Sequence, residues 1–109
     1  RRREVPAETE IVELDELTID WGKYLVTLKG KPVELTPKES ELLRAFLQAR
    51  GRVLTREVLL DKVWGYERAM EIETRTVDLH VSQLRKKLRP LSKRLVTVKN
   101  AGYRLALDE

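Results

Sequence analysis

The chain has 109 residues, 41% of them hydrophobic and 37% charged, with no cysteine and a net charge of +4. That is one domain's length with enough apolar matter for a core, which excludes a disordered tail and a disulfide scaffold. No apolar run approaches the ~18 residues of a membrane span and no secretory signal is visible, so a cytoplasmic protein is expected.

Residues 1–9 mix charges with Pro6 and show no apolar period. They are expected to be the remnant of an interdomain linker, with the domain itself running over 10–109. Four short segments follow, "EIVELDE", "LTIDWG", "YLVTLKG" and "KPVEL", rich in β-branched and aliphatic residues. Leu17, Ile19 and Trp21 alternate with polar neighbours, as do Tyr24, Val26 and Leu28, which predicts a small antiparallel sheet with one buried face. Gly22 and Gly30 mark turns, and "KGK" predicts a tight hairpin.

"TPKE" at 36–39 is a helix start. Thr36 suits the N-cap, Pro37 the first helical position, and Glu39 closes a capping box. Leu42, Leu43, Phe46 and Leu47 form the apolar face of this first helix, and Gly51 is expected to end it. Thr55 caps a second predicted helix over 56–64, with Val58, Leu59, Val63 and Trp64 inward and Gly65 as its stop. Residues 66–73, "YERAMEIE", show no clean period and read as a loop. Thr74 opens a third helix over 74–88, which Pro90 terminates. "RLVTVKNAGYRLAL" then predicts two strands, near 94–98 and 103–107, joined around Asn100 and Gly102, both tolerant of positive φ. The expected class is α+β: a strand group, three helices and a C-terminal β-hairpin, which is the plan of a winged helix-turn-helix.

Charge is unevenly placed. Residues 74–104 hold nine Lys or Arg and one acid, Asp78, whereas residues 1–73 hold 13 bases and 15 acids. The positive field is therefore concentrated where a polyanion-binding face requires it. On the third helix Val77, Val81, Leu84 and Leu88 fall on one stripe, which is core. The other side carries Arg75, Thr76, Ser82, Gln83 and Lys86, with one apolar residue, Leu79, among them. Arg75 and Lys86 suit guanine or phosphate, Gln83 suits adenine, and Thr76 and Ser82 are short hydroxyl partners. Leu79 suits a thymine methyl in the major groove; the competing reading is that it packs on another element. Arg85, Lys86, Lys87 and Arg89 are expected to attract phosphates, which positions without specifying. His80, the only histidine, lies on the flank between core and groove. With no cysteine and no second histidine it is not expected to bind metal. No cofactor is expected. His80 and Ser82 lie about 200° apart around a helix, so no nucleophile–base pair forms and the chain does not read as an enzyme. The alternative to a DNA reader is a protein-interaction module of the same fold with only non-specific DNA affinity.

The ordered segments "LTPKESELLRAFL", "REVLLDKVWG", "RTVDLHVSQLRKKL" and "VTVKNAGYRL" closely resemble the DNA-binding effector domain of the OmpR/PhoB family of bacterial response regulators. The resemblance runs from about residue 10 to residue 107. It implies a four-stranded N-terminal sheet, three helices and a hairpin wing, with the third helix in the major groove and the wing in the adjacent minor groove. It implies two-component transcription regulation, with a receiver domain preceding this one and a sensor histidine kinase acting through it. It also implies a domain that is monomeric alone and pairs head-to-tail on direct repeats of double-stranded DNA. Carried over by position, it marks Arg75, Thr76, Leu79, His80, Gln83 and Arg85 on the helix, and Thr97 and Lys99 at the wing. Two departures bear on the target sequence: Gln83 stands where the family often has Arg, and Lys99-Asn100 where it often has Arg-Gly. The loop at 66–73 resembles the family's RNA polymerase contact, which makes Tyr66, Glu67, Arg68, Glu71 and Glu73 its contact residues. A solvated connector with Met70 and Ile72 turned inward is the competing reading.

Overall fold

The structure, a computed structural model, describes residues 11–107. The expected linker at 1–9 lies outside the described residues. The chain forms two compact units that divide after Glu34.

The first unit is an antiparallel meander of β1 (Ile11–Leu14), β2 (Leu17–Asp20), β3 (Leu25–Leu28) and β4 (Lys31–Pro32). Its register sets Leu14 opposite Leu17 and Ile19 between Val12 and Val26. Leu14, Leu17, Ile19 and Val26 therefore share one face, and all are buried, as is Trp21. Lys29 and Gly30 both take positive φ, 54° and 83°. Two left-handed residues between paired strands are the mark of a type I′ hairpin, as "KGK" predicted. Tyr24 departs from the predicted alternation. It closes the preceding turn at φ 52°, and β3 starts one residue later, so its ring is exposed rather than buried with Val26.

The second unit opens with α1 (Pro37–Gln48). The capping box forms: Thr36 Oγ1 accepts from the Glu39 N–H at 3.2 Å, and Glu39 Oε1 accepts from the Thr36 N–H at 3.0 Å. Leu42, Leu43, Ala45 and Phe46 are buried. The helix ends at Gln48, before Gly51, because Arg50 and Gly51 both turn to positive φ. In α2 (Arg56–Trp64) Thr55 Oγ1 accepts from the Val58 N–H at 3.1 Å. The buried residues are Leu59, Leu60 and Val63, not Val58. At 100° per residue Leu59, Val63 and Leu60 span one arc of about 100°, whereas Val58 lies a further 100° outside it and is exposed.

The predicted loop at 66–73 begins as a single helical turn, α3 (Tyr66–Ala69). Four residues are too few for a period to register. α4 (Arg75–Lys87) is the third predicted helix, and α5 (Leu91–Arg94) is a turn not predicted at all. Pro90 both ends α4's reach and opens α5, since its fixed φ suits a helix start. The wing is β5 (Leu95–Val98) paired with β6 (Gly102–Leu105); β5 starts one residue later than predicted, and β6 starts one residue and ends two residues earlier. Leu54 bridges to Tyr103 through two backbone hydrogen bonds of 2.8 and 3.0 Å. At the base of the hairpin Arg94 and Ala106 exchange bonds: the Ala106 N–H donates to the Arg94 carbonyl, and Arg94 Nη1 donates to the Ala106 carbonyl, each at 2.8 Å. Phe46, Leu59, Val77, Val81, Leu84, Leu88, Leu91, Leu95 and Leu105 are all essentially inaccessible and form this unit's core.

Candidate nucleic-acid interface

α4 divides into four sides. Val77, Val81, Leu84 and Leu88 are wholly buried. Opposite them Arg75, Leu79, Ser82, Gln83 and Lys86 are all exposed. Their spacing of four, three, one and three residues holds them within about 100° of arc, a single continuous stripe. Leu79 is 62% exposed. An apolar side chain is thus exposed in the middle of a polar, basic face. Thr76 lies at the edge of the stripe, half-buried.

The two flanks between core and stripe are tied down. On one flank, His80 Nδ1 lies 2.9 Å from the Thr76 carbonyl, and its ring meets Trp64 edge-on at 5.0 Å. Trp64 ends α2, where Lys38 Nζ reaches from α1 to the Val63 carbonyl at 3.0 Å and lies 5.6 Å from the indole. Lys87, on the same flank, donates to Glu39 Oε1 at 2.8 Å. The Glu39 side chain is 5% exposed. Burial pushes its carboxyl up, but bonds from Lys87 and the Thr36 N–H, with the Lys87 charge, outweigh that and hold it below the ordinary carboxylate value.

On the other flank Arg85 donates from Nε and Nη2 to the Leu95 carbonyl, with Nε at 3.0 Å, and from Nη2 to Thr97 Oγ1 at 3.0 Å. Asp78 Oδ1 accepts from Arg56 Nε at 2.8 Å and from the Tyr103 hydroxyl. The Arg56 and Arg85 guanidiniums lie 5.3 and 5.5 Å from the Tyr103 ring centre, within cation–π range. Burial, and the carboxylate that its hydroxyl meets, push the Tyr103 phenol above its ordinary value, while Arg56 pulls the other way. The bond to Asp78 likewise raises Arg56.

Four residues marked in the sequence as nucleic-acid contacts thus have partners inside the protein: His80, Arg85, Lys87 and Thr97. Arg56, Asp78 and Tyr103 were not marked, although the lone acid in a basic segment was a visible signal. At the wing tip Lys99 and Asn100 are exposed, Asn100 with φ 62°. Beside the tip an open groove runs past Thr55 and Arg56 at the start of α2. In the segment after α2, Glu67, Arg68, Glu71 and Glu73 are exposed, Ile72 is half-buried, and Met70 is 76% exposed, so Met70 is not turned inward. The Tyr66 side chain lies outside the described residues. Among the described residues no His, Asp and Glu gather as a metal-binding set, and no helix is long and apolar enough to cross a membrane.

Residues 30–105 match the family model described as "Transcriptional regulatory protein, C terminal". The chain is 41% identical over 107 residues to the phosphate regulon transcriptional regulatory protein PhoB of Pseudomonas aeruginosa, covering 96% of this chain and 46% of that protein. The chain thus spans a little under half the length of such relatives. Among solved structures it is similar to the RstA DNA-binding domain of Klebsiella pneumoniae in complex with the RstA box, with TM-score 0.76 and 31% identity over 91% of this chain and 99% of that one. It is also similar to the response regulator DrrB of Thermotoga maritima, an OmpR/PhoB homologue, with TM-score 0.77 and 30% identity over 88% of this chain and 44% of that one.

Proposed function

The chain belongs to the OmpR/PhoB family of transcriptional regulators, as a winged-helix effector domain, and on that premise we propose that it binds double-stranded DNA sequence-specifically for a two-component regulator. The observation that carries the reading is the exposed stripe of α4. Its flanks are anchored on both sides, so Arg75, Leu79, Ser82, Gln83 and Lys86 are presented together on a rigid cylinder. α4 enters the major groove, with Gln83 facing adenine and Leu79 a thymine methyl. Lys99 and Asn100 reach the adjacent minor groove. The RstA structure with its RstA box supports this reading, as the similarity extends over nearly all of that domain.

The wider assembly belongs to the same proposal. The domain acts in the cytoplasm, is monomeric alone and pairs head-to-tail on direct repeats with half-sites about 10–10.5 bp apart. A receiver domain of the same protein, addressed by a sensor histidine kinase, controls that pairing. The exposed Met70, with the exposed Glu67, Arg68, Glu71 and Glu73 near it in sequence, faces RNA polymerase.

Selection from a random duplex library tests the reading. A direct repeat is expected to emerge with an advantage of roughly 10³ or more over random DNA. Leu79→Ser should then lower discrimination at one or two positions by about 1 kcal/mol each, with the melting temperature unchanged because the side chain is exposed. Selection of no sequence, with a tight protein partner instead, would favour an interaction module. A large fall in melting temperature on Leu79→Ser would remove that residue from the interface.

A further inference from the structure

Asp78 is the single acid between residues 74 and 104, and it lies on the helix proposed to meet a polyanion. An uncompensated carboxylate there would repel phosphate. It is compensated by Arg56, the first residue of α2, and by the Tyr103 hydroxyl from β6. The Tyr103 ring has guanidiniums from Arg56 and Arg85 near it, and Arg85 continues to the Leu95 carbonyl and Thr97 hydroxyl on β5. One polar node therefore joins α2, α4 and both strands of the wing. Other ties on the hairpin lie elsewhere: the Leu54 bridge runs to the segment before α2, Arg104 Nε donates to the Gly51 carbonyl, and the Arg94–Ala106 exchange closes the base. The Asp78–Arg85 flank of α4 links the wing to the groove-reading helix by side chains.

We propose that Asp78 is a positioning residue: through Tyr103 it sets the wing against α4, so that the wing tip and the exposed stripe of α4 engage one duplex together. The inference deepens the duplex-DNA reading and rests on it. A carboxylate is suited to the task because one oxygen accepts from both Arg56 and Tyr103. An amide of the same shape carries no charge to hold Arg56. Tyr103→Phe removes only the hydroxyl, keeping the ring beneath its two guanidiniums and leaving the net charge unchanged.

The test uses Asp78→Asn and Tyr103→Phe, each with and without Lys99→Ala. Amide hydrogen exchange on the uncomplexed protein is expected to speed up about tenfold over 96–104 in both variants, with the α1 core amides unchanged. On the selected duplex, Lys99→Ala is expected to weaken binding about fivefold in the parent and less than about twofold in either variant. That non-additivity is one that general destabilisation does not produce. Unchanged wing exchange would overturn the inference. So would an equal Lys99→Ala cost in all backgrounds, or no cost in the parent. Should the parent select no sequence, the duplex reading falls, while the exchange result still decides whether Asp78 orders the wing.

Discussion

Glu39 is nearly enclosed, yet its carboxyl is held ionised because two elements reach it, the start of its own helix and Lys87 from α4. Removing Lys87 as Lys87→Met leaves that charge with the capping bond and the His80 charge. The expected loss at pH 6 is about 2 kcal/mol, less than for a fully enclosed pair because Lys87 itself is one-third exposed. The pH dependence follows from the direction of the shift. Glu39 is lowered in the folded state, so its contribution is complete above the unfolded value of about 4.3 and is lost as pH falls through and below it. In the variant burial is opposed only by the bond from the Thr36 N–H and the His80 charge, so the carboxyl moves up and its protonation at low pH relieves part of the loss. Urea melts of parent and variant should therefore differ most at pH 6 and converge towards pH 3. A gap of constant size would locate the destabilisation in lost packing of the Lys87 stem instead.

Among the elements, the wing shows how a hairpin is placed by an absent atom. A Cβ on Gly102 would lie 2.1 Å from the Leu54 carbonyl oxygen, and the residue takes φ 143°. Gly102→Ala should cost about 3 kcal/mol or more, since both volume and backbone angle are wrong. Thermal melts check the size, and loss of amide protection at Leu54 and Tyr103 checks the place. Such elements differ in how much of them is legible in sequence. α1 is written locally, since Thr36, Pro37 and Glu39 specify its start within four residues. The wing is legible from Asn100 and Gly102. α3 and α5 are single turns, shorter than any period, and were missed. The network of Arg56, Asp78 and Tyr103 joins residues 22 and 25 positions apart, and no local pattern encodes such a pairing. The same holds for Lys87 and Glu39, 48 apart. The stripe of α4 was legible because a helical wheel needs only the residues on it. Its flanks were not, because what they touch lies on other elements.

At the scale of the whole molecule, the nine bases of residues 74–104 separate into two groups. Arg85, Lys87, Arg94 and Arg104 bond to Leu95, Glu39, Ala106 and Gly51. Arg75, Lys86, Arg89, Lys93 and Lys99 are exposed. Nine phosphate contacts would give a slope of log affinity against log salt near −8, and five give about −4 to −5. A titration of one domain on a single half-site should return the shallower slope, and a value near −8 would mean that the internally bonded group also meets phosphates. The exchange between Arg94 and Ala106 has a practical consequence for following such titrations. It fixes the chain's exit at the foot of the hairpin, one four-residue strand, roughly 13 Å, from the tip. The sequence has no cysteine, so a dye carried by Leu107→Cys or by Ala101→Cys is the only label on the protein. On the proposed binding mode the first stands clear of the duplex and reports concentration, whereas the second sits at the wing tip and reports occupancy.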